Sequence, residues 1–215
     1  MNFHIITIFP ESIKKYFDAS ILGKARKKGL IKLDLIDLKK YASGKYNKLD
    51  DKPYGGGPGM VMKAEPIVKA VKSISKSKPK AKIILLSPAG KQFDQTMARG
   101  WAKKYKNIIL ICGRYEGVDA RVKKIFKAEE ISVGPYILTG GELPAAVIVD
   151  AVARHVSGAL GKEESLEEFR GAGFPVYTRP ESFEANGEKY PVPKVLLSGN
   201  HQKIKEWREK YSKKL

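Results

Sequence analysis

Cysteine and histidine are scarce in this chain of 215 residues, and their scarcity excludes disulfide and zinc frameworks. Cys112 is the only cysteine, so no intrachain disulfide can form. The histidines lie far apart and make no zinc-ligand spacing with it; they are His4, His155 and His201. Long hydrophobic runs are also missing, because the longest, residues 143–153, is too short to span a bilayer and contains an aspartate. We expect no signal peptide, no membrane partner and a soluble, cytoplasmic protein.

Acidic residues are few relative to basic ones. The chain has 23 Asp and Glu against 41 Lys and Arg, a formal net charge of +18. The excess is concentrated in residues 24–28, 66–93 and 194–215. Such a charge attracts polyanions through phosphate neutralisation and counterion release, which favours a nucleic-acid partner. The alternative is a lysine-rich surface that is merely solvated.

Apolar runs alternate with amphipathic segments over most of the chain. Predicted strands cover residues 4–9, 31–38, 81–86, 107–112 and 130–133. Predicted helices cover residues 64–73, 93–104 and 143–160, and another begins near residue 200. Strands that alternate with helices are typical of an α/β fold with a largely parallel sheet. We expect a main domain at residues 1–160, a flexible acidic linker at 161–174, and a small C-terminal helical region at 175–215.

Loops rich in glycine and proline follow several predicted strands or interrupt the sequence between them. They cover residues 53–60, 87–90, 113–117 and 137–142. Ligands of open α/β sheets bind outside the carboxyl ends of the strands, and glycine lets the main chain approach a ligand closely. Taken together, these loops therefore predict a site for a flat heterocycle, whereas any single one of them is more simply interpreted as a tight turn. Dinucleotide-binding and P-loop signatures are absent from the sequence, which disfavours both classes.

Six motifs in these and neighbouring segments carry a family resemblance. They are Ile8-Phe9-Pro10-Glu11, residues 50–60 (DDKPYGGGPGM), residues 112–119 (CGRYEGVD), residues 138–144 (LTGGELP), Tyr177-Thr178-Arg179-Pro180 and residues 196–201 (LLSGNH). Together they resemble the bacterial tRNA (guanine-N1)-methyltransferases, the TrmD family of the SPOUT superfamily. The matches keep the family order from residue 1 to about Trp207.

The resemblance implies a fold and an activity. It implies a SPOUT-type α/β domain with a trefoil knot, whose loops bind S-adenosylmethionine, and a homodimer that shares each active site. It implies methyl transfer to N1 of the guanine 3′-adjacent to the anticodon of tRNA, with Mg²⁺ as a further candidate cofactor. The apolar helix at 143–160 is consistent with a dimer interface and equally with a buried core helix.

Site residues follow from the resemblance, position by position. The cofactor-binding residues are expected to be Ser87, Pro88, Ala89, Gly113, Tyr115, Gly117, Val133, Gly134, Tyr136, Ile137, Leu138, Gly140, Gly141 and Pro144. The substrate-binding residues are expected to be Asp50, Tyr54, Gly57, Gly59, Arg114, Ser198, Asn200 and His201. Arg114 could instead pair with a nearby acid. No residue is assigned as a metal ligand.

Catalysis needs a base for the guanine N1 proton and a cation for the charge that moves onto O6. Arg154, expected on the polar side of the long helix, matches the family's stabilising arginine; otherwise it is a surface or salt-bridging residue. Glu116 is expected to act on the methionine end of the cofactor or on a metal. The family's acidic base position is Gly173 here, which leaves Glu168, or its neighbour Glu167, as the candidate base.

Two departures from the family pattern keep another interpretation open. The base position is a glycine, and the C-terminal tRNA-binding region appears shortened. A non-catalytic RNA-binding relative, with weak or lost activity, is the alternative. Methylation of a different RNA by the same fold is a further one.

Overall fold

The computed structural model describes residues 1–43, 48–78, 80–160 and 173–212. By its internal contacts the chain divides into two compact units, Met1–Leu160 and Gly161–Leu215. Most of the predicted linker, residues 161–172, lies outside the described residues.

A five-stranded parallel sheet forms the centre of the first unit. Its strands are β1 (Asn2–Thr7), β2 (Lys32–Asp37), β5 (Lys82–Gln92), β6 (Asn107–Cys112) and β7 (Glu129–Ser132), in the order β2-β1-β6-β5-β7. Two short strands, β3 (Asp50–Asp51) and β4 (Val61–Met62), pair antiparallel outside it. The predicted α/β fold with a parallel sheet is confirmed.

Helices cover both faces of this sheet. They are α1 (Glu11–Asp18), α2 (Ser20–Lys27), α3 (Ala64–Ser75), α4 (Gln95–Lys104), α5 (Arg121–Phe126) and α6 (Glu142–Ala153), with a 3₁₀ turn at Leu38–Tyr41. Successive side chains of a strand point to opposite faces of the sheet, so each strand packs against both helix layers. In β6, Ile108 and Leu110 pack in the layer of α1, α2, α4 and α6, whereas Ile109 and Ile111 pack in the layer of α3 and α5. Each such fully buried isoleucine or leucine stabilises the fold by about 1.5–3 kcal/mol.

Two elements end six or seven residues away from their predicted ends. The helix expected at 143–160 ends at Ala153, because the hydrogen bonds of His155, Val156 and Ala159 tighten to three-residue turns. Serine, β-branched valine and glycine follow there, and these residues are poor helix formers. Strand β5 runs past its expected end to Gln92, with a register shift against β7 between Leu86 and Lys91.

The second unit contains a β-hairpin in the region at 175–215, where only helical structure is predicted. Strands β8 (Ser182–Ala185) and β9 (Glu188–Pro191) pair antiparallel around Asn186 and Gly187, whose φ angles are +54° and +76°. Asn-Gly is a strong sequence signal for such a turn, so this element could have been predicted. Helices α7 (Lys194–Leu197) and α8 (His201–Tyr211) follow. The Asn200 side chain accepts a hydrogen bond from the Lys203 amide over 3.1 Å and caps α8, as expected for a helix that begins there.

Candidate active site

A cavity of about 370 Å³ lies beside the irregular stretch of β5, where its register shifts between Leu86 and Lys91, and at the carboxyl ends of β6 and β7. Parallel strands end at the same sheet edge, so their loops converge there. All of the predicted cofactor-binding residues line this cavity except Gly134. A Cβ on Gly134 would lie too close to the Tyr136 ring, so a side chain there would collide with it. The structure thus brings together the segment at 87–90, predicted as a loop but part of β5, and the loops that follow β6 and β7.

The loops on either side of the cavity meet through their main chains. The Gly141 amide donates a hydrogen bond to the Gly113 carbonyl oxygen over 2.9 Å. A Cβ on Gly141 would lie 2.6 Å from the Cα of Cys112 and 3.0 Å from the Gly113 nitrogen. The φ of Gly141 is −80°, which any residue can adopt. Glycine is therefore required here because the neighbouring main chain lies too close for a side chain, and not because of its φ angle.

A charged cluster that sequence reasoning missed lies beside this contact. Glu142 is 4% exposed, and its Oε1 accepts a hydrogen bond from the Thr7 hydroxyl over 2.6 Å. Its Oε2 pairs with Arg114 through Nε at 3.1 Å and Nη2 at 3.0 Å. Arg114 therefore takes the alternative pairing with an acid. An acid in the first turn of a helix is ordinarily interpreted as favourable to the helix dipole, so the sequence offered no separate signal for Glu142.

The acid Glu130 lines the cavity itself. Its carboxylate pairs with Lys123 over 2.5 Å. Hydrogen bonds from Lys123 and from Ser87 hold the pKa of Glu130 below its usual value, against the opposing effect of burial. Glu130 is therefore ionised at neutral pH and adds negative charge to the cavity wall.

The loop that carries the predicted substrate residues packs against the cofactor loop. The Tyr115 hydroxyl is hydrogen-bonded to Asp50, which raises the pKa of that tyrosine. The Glu116 amide donates to the Met60 carbonyl oxygen over 3.0 Å, and a Cβ on Gly59 would lie 2.5 Å from Glu116 Oε1. Both loops therefore form one continuous surface at the mouth of the cavity.

Comparison with known proteins decides the family. The model of the family described as "tRNA (Guanine-1)-methyltransferase TrmD" matches residues 1–215. The chain belongs to this family. The expected family is confirmed.

Relatives named tRNA (guanine-N(1)-)-methyltransferase match along nearly the whole chain. The protein of Dictyoglomus turgidum is 52% identical over 214 residues, which cover 98% of this chain and 84% of the relative. That of Carboxydothermus hydrogenoformans is 48% identical over 216 residues, covering 99% and 83%. That of Clostridioides difficile is 44% identical over 218 residues, covering 99% and 92%.

Neither Arg154 nor Tyr54, both expected site residues of a TrmD family member, is among the residues that line the cavity. Arg154 does not lie within the long helix; it is the partly buried C-cap residue just after α6. Glu168 and Glu167 lie outside the described residues. Tyr54 is fully exposed, and Gly57 near it has a φ of +116° and open space, with no atom within 4 Å of where a Cβ would lie.

Three substrate-binding candidates lie in the second unit. Ser198 donates a hydrogen bond from its hydroxyl to the Val195 carbonyl oxygen over 2.7 Å. Ser198 Oγ also accepts one from the Asn200 amide over 3.2 Å. His201 is the exposed first residue of α8. The serine and the asparagine therefore organise the helix start, and their polar groups contact the chain itself.

The described residues show neither a metal-ligating cluster nor a membrane-spanning helix. Within the described ranges, no group of three or more His, Cys, Asp and Glu side chains is placed to hold a metal ion. No helix there is long and apolar enough to cross a membrane.

Cys112, the last residue of β6, is fully buried. Burial, together with the charge of Glu142, raises the pKa of its thiol well above the usual value. A thiol in that state is unreactive, so Cys112 is excluded as a nucleophile.

Proposed function

We propose that this protein transfers a methyl group from S-adenosylmethionine to N1 of the guanine 3′-adjacent to the anticodon of tRNA. The observation that carries the proposal is the cavity, which gathers segments of three neighbouring strands and the glycine-rich loops after two of them, in a chain of the TrmD family. Since whole-chain relatives are named as methyltransferases, the alternative of a non-catalytic RNA-binding protein has no support.

The cavity suits S-adenosylmethionine in shape and charge. Leu86, Leu138 and Pro144 supply apolar surface for a flat purine, and the glycine-rich main chain supplies donors and acceptors. Glu116 and Glu130 place carboxylates on the wall, complementary to the sulfonium and ammonium charges of the cofactor. When bound, S-adenosylmethionine supplies an activated methyl group, whose bonding pair stays with sulfur as the methyl leaves.

The chain's own residues must prepare the guanine. N1 carries a proton at neutral pH, so a base has to accept it while a cation stabilises the charge moving onto O6. We assign the second task to Arg154, whose position at the end of α6 is fixed by main-chain hydrogen bonding to Asp150. Glu168 is the proposed base, and Glu168→Gln, which keeps the shape without the basicity, should slow turnover by about 10²–10⁴-fold.

Glu116 is proposed to act beside the methionine end of the cofactor. Its main chain is fixed by the bond to Met60, and its carboxylate lies against Gly59 in the substrate loop. A Mg²⁺ requirement would draw on this carboxylate. Activity measured with and without chelator, at fixed ionic strength, tests that requirement.

A homodimer that shares each active site is part of the proposal. Helix α6 exposes Leu143 by 61% and Val147 by 48%, although its other face is buried in the core. Ile137, at the rim of the cavity, is 85% exposed. Apolar side chains grouped in this way beside a site favour coverage by a second copy.

The trefoil knot of the family is also proposed for this chain. Its support is the central position of β6 between β1 and β5, and the close approach of the 137–141 loop to the end of β6. We place the enzyme in the cytoplasm with its tRNA substrate. The basic stretches at 66–93 and 194–215 are proposed to contact phosphates, which position a nucleic acid without reading its sequence.

Transfer of labelled methyl tests the proposed function. The protein is incubated with S-adenosylmethionine labelled in the methyl group and with an unmodified tRNA transcript. We expect acid-precipitable label that depends on the transcript, and loss of it when the guanosine 3′-adjacent to the anticodon is replaced by adenosine. Equal labelling of both transcripts would move the target elsewhere, and no labelling would refute the proposed activity.

A further inference from the structure

Glu142 is the one charged residue among the buried residues of α6. The other buried residues of α6 are alanine, valine and isoleucine. A buried carboxylate is costly unless each oxygen has a partner. Here both oxygens have one, because Oε1 accepts from Thr7 and Oε2 pairs with Arg114.

Arg114 uses the rest of its guanidinium to join two walls of the cavity. It belongs to the loop at 113–117, and its Nη1 donates to the Thr139 carbonyl oxygen of the opposite loop over 3.2 Å. Its own amide contacts Met62 Sδ at 3.2 Å. The Phe9 ring lies 4.7 Å from its central carbon and shields one side of the guanidinium.

Thr7 fixes this arrangement to the sheet. It is fully buried at the end of β1, and its hydroxyl oxygen accepts a hydrogen bond from the Phe9 amide over 2.9 Å while donating to Glu142. The ends of β1 and β6, the 137–141 loop and α6 therefore meet at one carboxylate.

We propose that Glu142 is a positioning residue for methyl transfer, which orients Arg114 and so holds the two cofactor-binding walls in register. The inference rests on the proposed function, since it takes S-adenosylmethionine as the ligand of the cavity. Stability alone does not account for the cluster, because buried ion pairs contribute little beyond an apolar replacement of equal volume. What these contacts do here is hold the two loops beside the cavity in one arrangement.

If the two cofactor-binding walls are no longer held in place, we expect the affinity for the cofactor to fall before the turnover rate does. The apparent dissociation constant for the cofactor rises as the fraction of molecules with correctly placed cavity walls falls. If only a tenth of the molecules have the walls in place, binding weakens about tenfold. Saturating cofactor then restores the walls, and kcat recovers. A merely structural role would lower the active fraction of the enzyme, which reduces kcat and leaves KM unchanged.

Paired variants of Glu142 and Thr7 separate these outcomes. Glu142→Gln keeps the shape and removes the charge that holds Arg114. Thr7→Val removes the hydroxyl at nearly constant shape, and Thr7→Ser restores it. The control is Tyr16→Phe, which removes the 2.7 Å hydrogen bond to Asp150 on the same helix, away from the cavity.

The experiment combines titration calorimetry with S-adenosylmethionine and steady-state kinetics on tRNA. We expect Kd and KM for the cofactor to rise about tenfold in Glu142→Gln and a few-fold in Thr7→Val, with kcat within about twofold of wild type. Thr7→Ser and Tyr16→Phe should match wild type. Unchanged Kd in both Glu142→Gln and Thr7→Val, or a fall in kcat at constant KM, would overturn the inference.

The same data keep the two proposals apart. Wild-type protein that binds the cofactor without methylating tRNA would refute the proposed function. Wild-type protein that methylates tRNA beside unaffected variants would refute only the role of Glu142. If Glu142→Gln does not fold, the Thr7 pair still decides the question, because Thr7→Ser must recover the affinity lost in Thr7→Val.

Discussion

The Gly141 amide donates a hydrogen bond to the Gly113 carbonyl oxygen over 2.9 Å. This contact joins the loop after β6 to the loop before α6, main chain against main chain. Because no side chain separates the two loops, the width of the cavity depends on the absence of a Cβ at Gly141.

Gly141→Ala should therefore disrupt the cavity. The new Cβ would lie 2.6 Å from the Cα of Cys112, and neither atom can move without moving the main chain. Overpacking of this kind costs about 1–3 kcal/mol. We expect a lower melting temperature and at least tenfold weaker cofactor binding by calorimetry, about 1.4 kcal/mol.

The matched control for that substitution is Gly100→Ala in α4, where a Cβ would have no atom within 4 Å. Alanine in a helix interior is about 0.5–1 kcal/mol more favourable than glycine, so this variant should be equally or more stable. Unchanged cofactor affinity in Gly141→Ala would show that the loops tolerate separation.

Gly59→Ala tests the contact between the substrate loop and Glu116. Gly59 has a φ of +80°, and a Cβ there would lie 2.5 Å from Glu116 Oε1. We expect displacement of Glu116 and a fall in kcat/KM for methyl transfer. Gly55→Ala is the control, because Gly55 has a similar φ of +87° and no atom within 4 Å. Backbone strain alone would affect both variants alike, so equal losses would refute a specific role for the Gly59–Glu116 contact.

Arg154→Ala should reduce turnover while leaving cofactor binding nearly intact. Removal of one donor that stabilises developing charge typically costs about 10²–10³ in rate. Single-turnover rates with tRNA and calorimetry with S-adenosylmethionine measure the two quantities. Lys103→Ala, at an exposed position in α4, controls for the loss of one positive charge. A parallel loss of cofactor affinity in Arg154→Ala would instead make Arg154 a binding or structural residue.

Val147→Glu should shift the protein from dimer to monomer and abolish activity. The substitution places a charge on the exposed apolar side of α6, which we propose as the interface. Sedimentation velocity over a range of concentrations gives the mass. Ile125→Glu changes an equally exposed apolar residue on α5, on the opposite layer of the sheet, and should stay dimeric. An active wild-type monomer would contradict the shared site.

Local patterns in the sequence predict most of the fold of the first unit. The apolar run at 107–112 corresponds to β6 residue for residue, because a strand buried on both faces leaves an uninterrupted signal. The loops at strand ends likewise predict where the cavity lies, since parallel strands must end together.

Contacts between distant residues are what the sequence cannot supply. Thr7 and Glu142 are 135 positions apart, and neither carries a motif that indicates the other. The early end of α6 was also missed, because its apolar run continues while its hydrogen bonding changes. For Arg114 the sequence leaves pairing with an acid open as an alternative, but it does not identify Glu142, 28 positions away, as that acid.

The chemical identity of the product nucleoside tests the central claim most directly. Unmodified tRNA is methylated by the wild-type protein, digested to nucleosides and analysed by liquid chromatography with mass spectrometry against the isomeric methylguanosine standards. We predict 1-methylguanosine as the product, and none from the transcript in which adenosine replaces the guanosine 3′-adjacent to the anticodon. A methyl group on N2 or N7 of guanine, on another nucleoside, or no methylation at all would contradict the account.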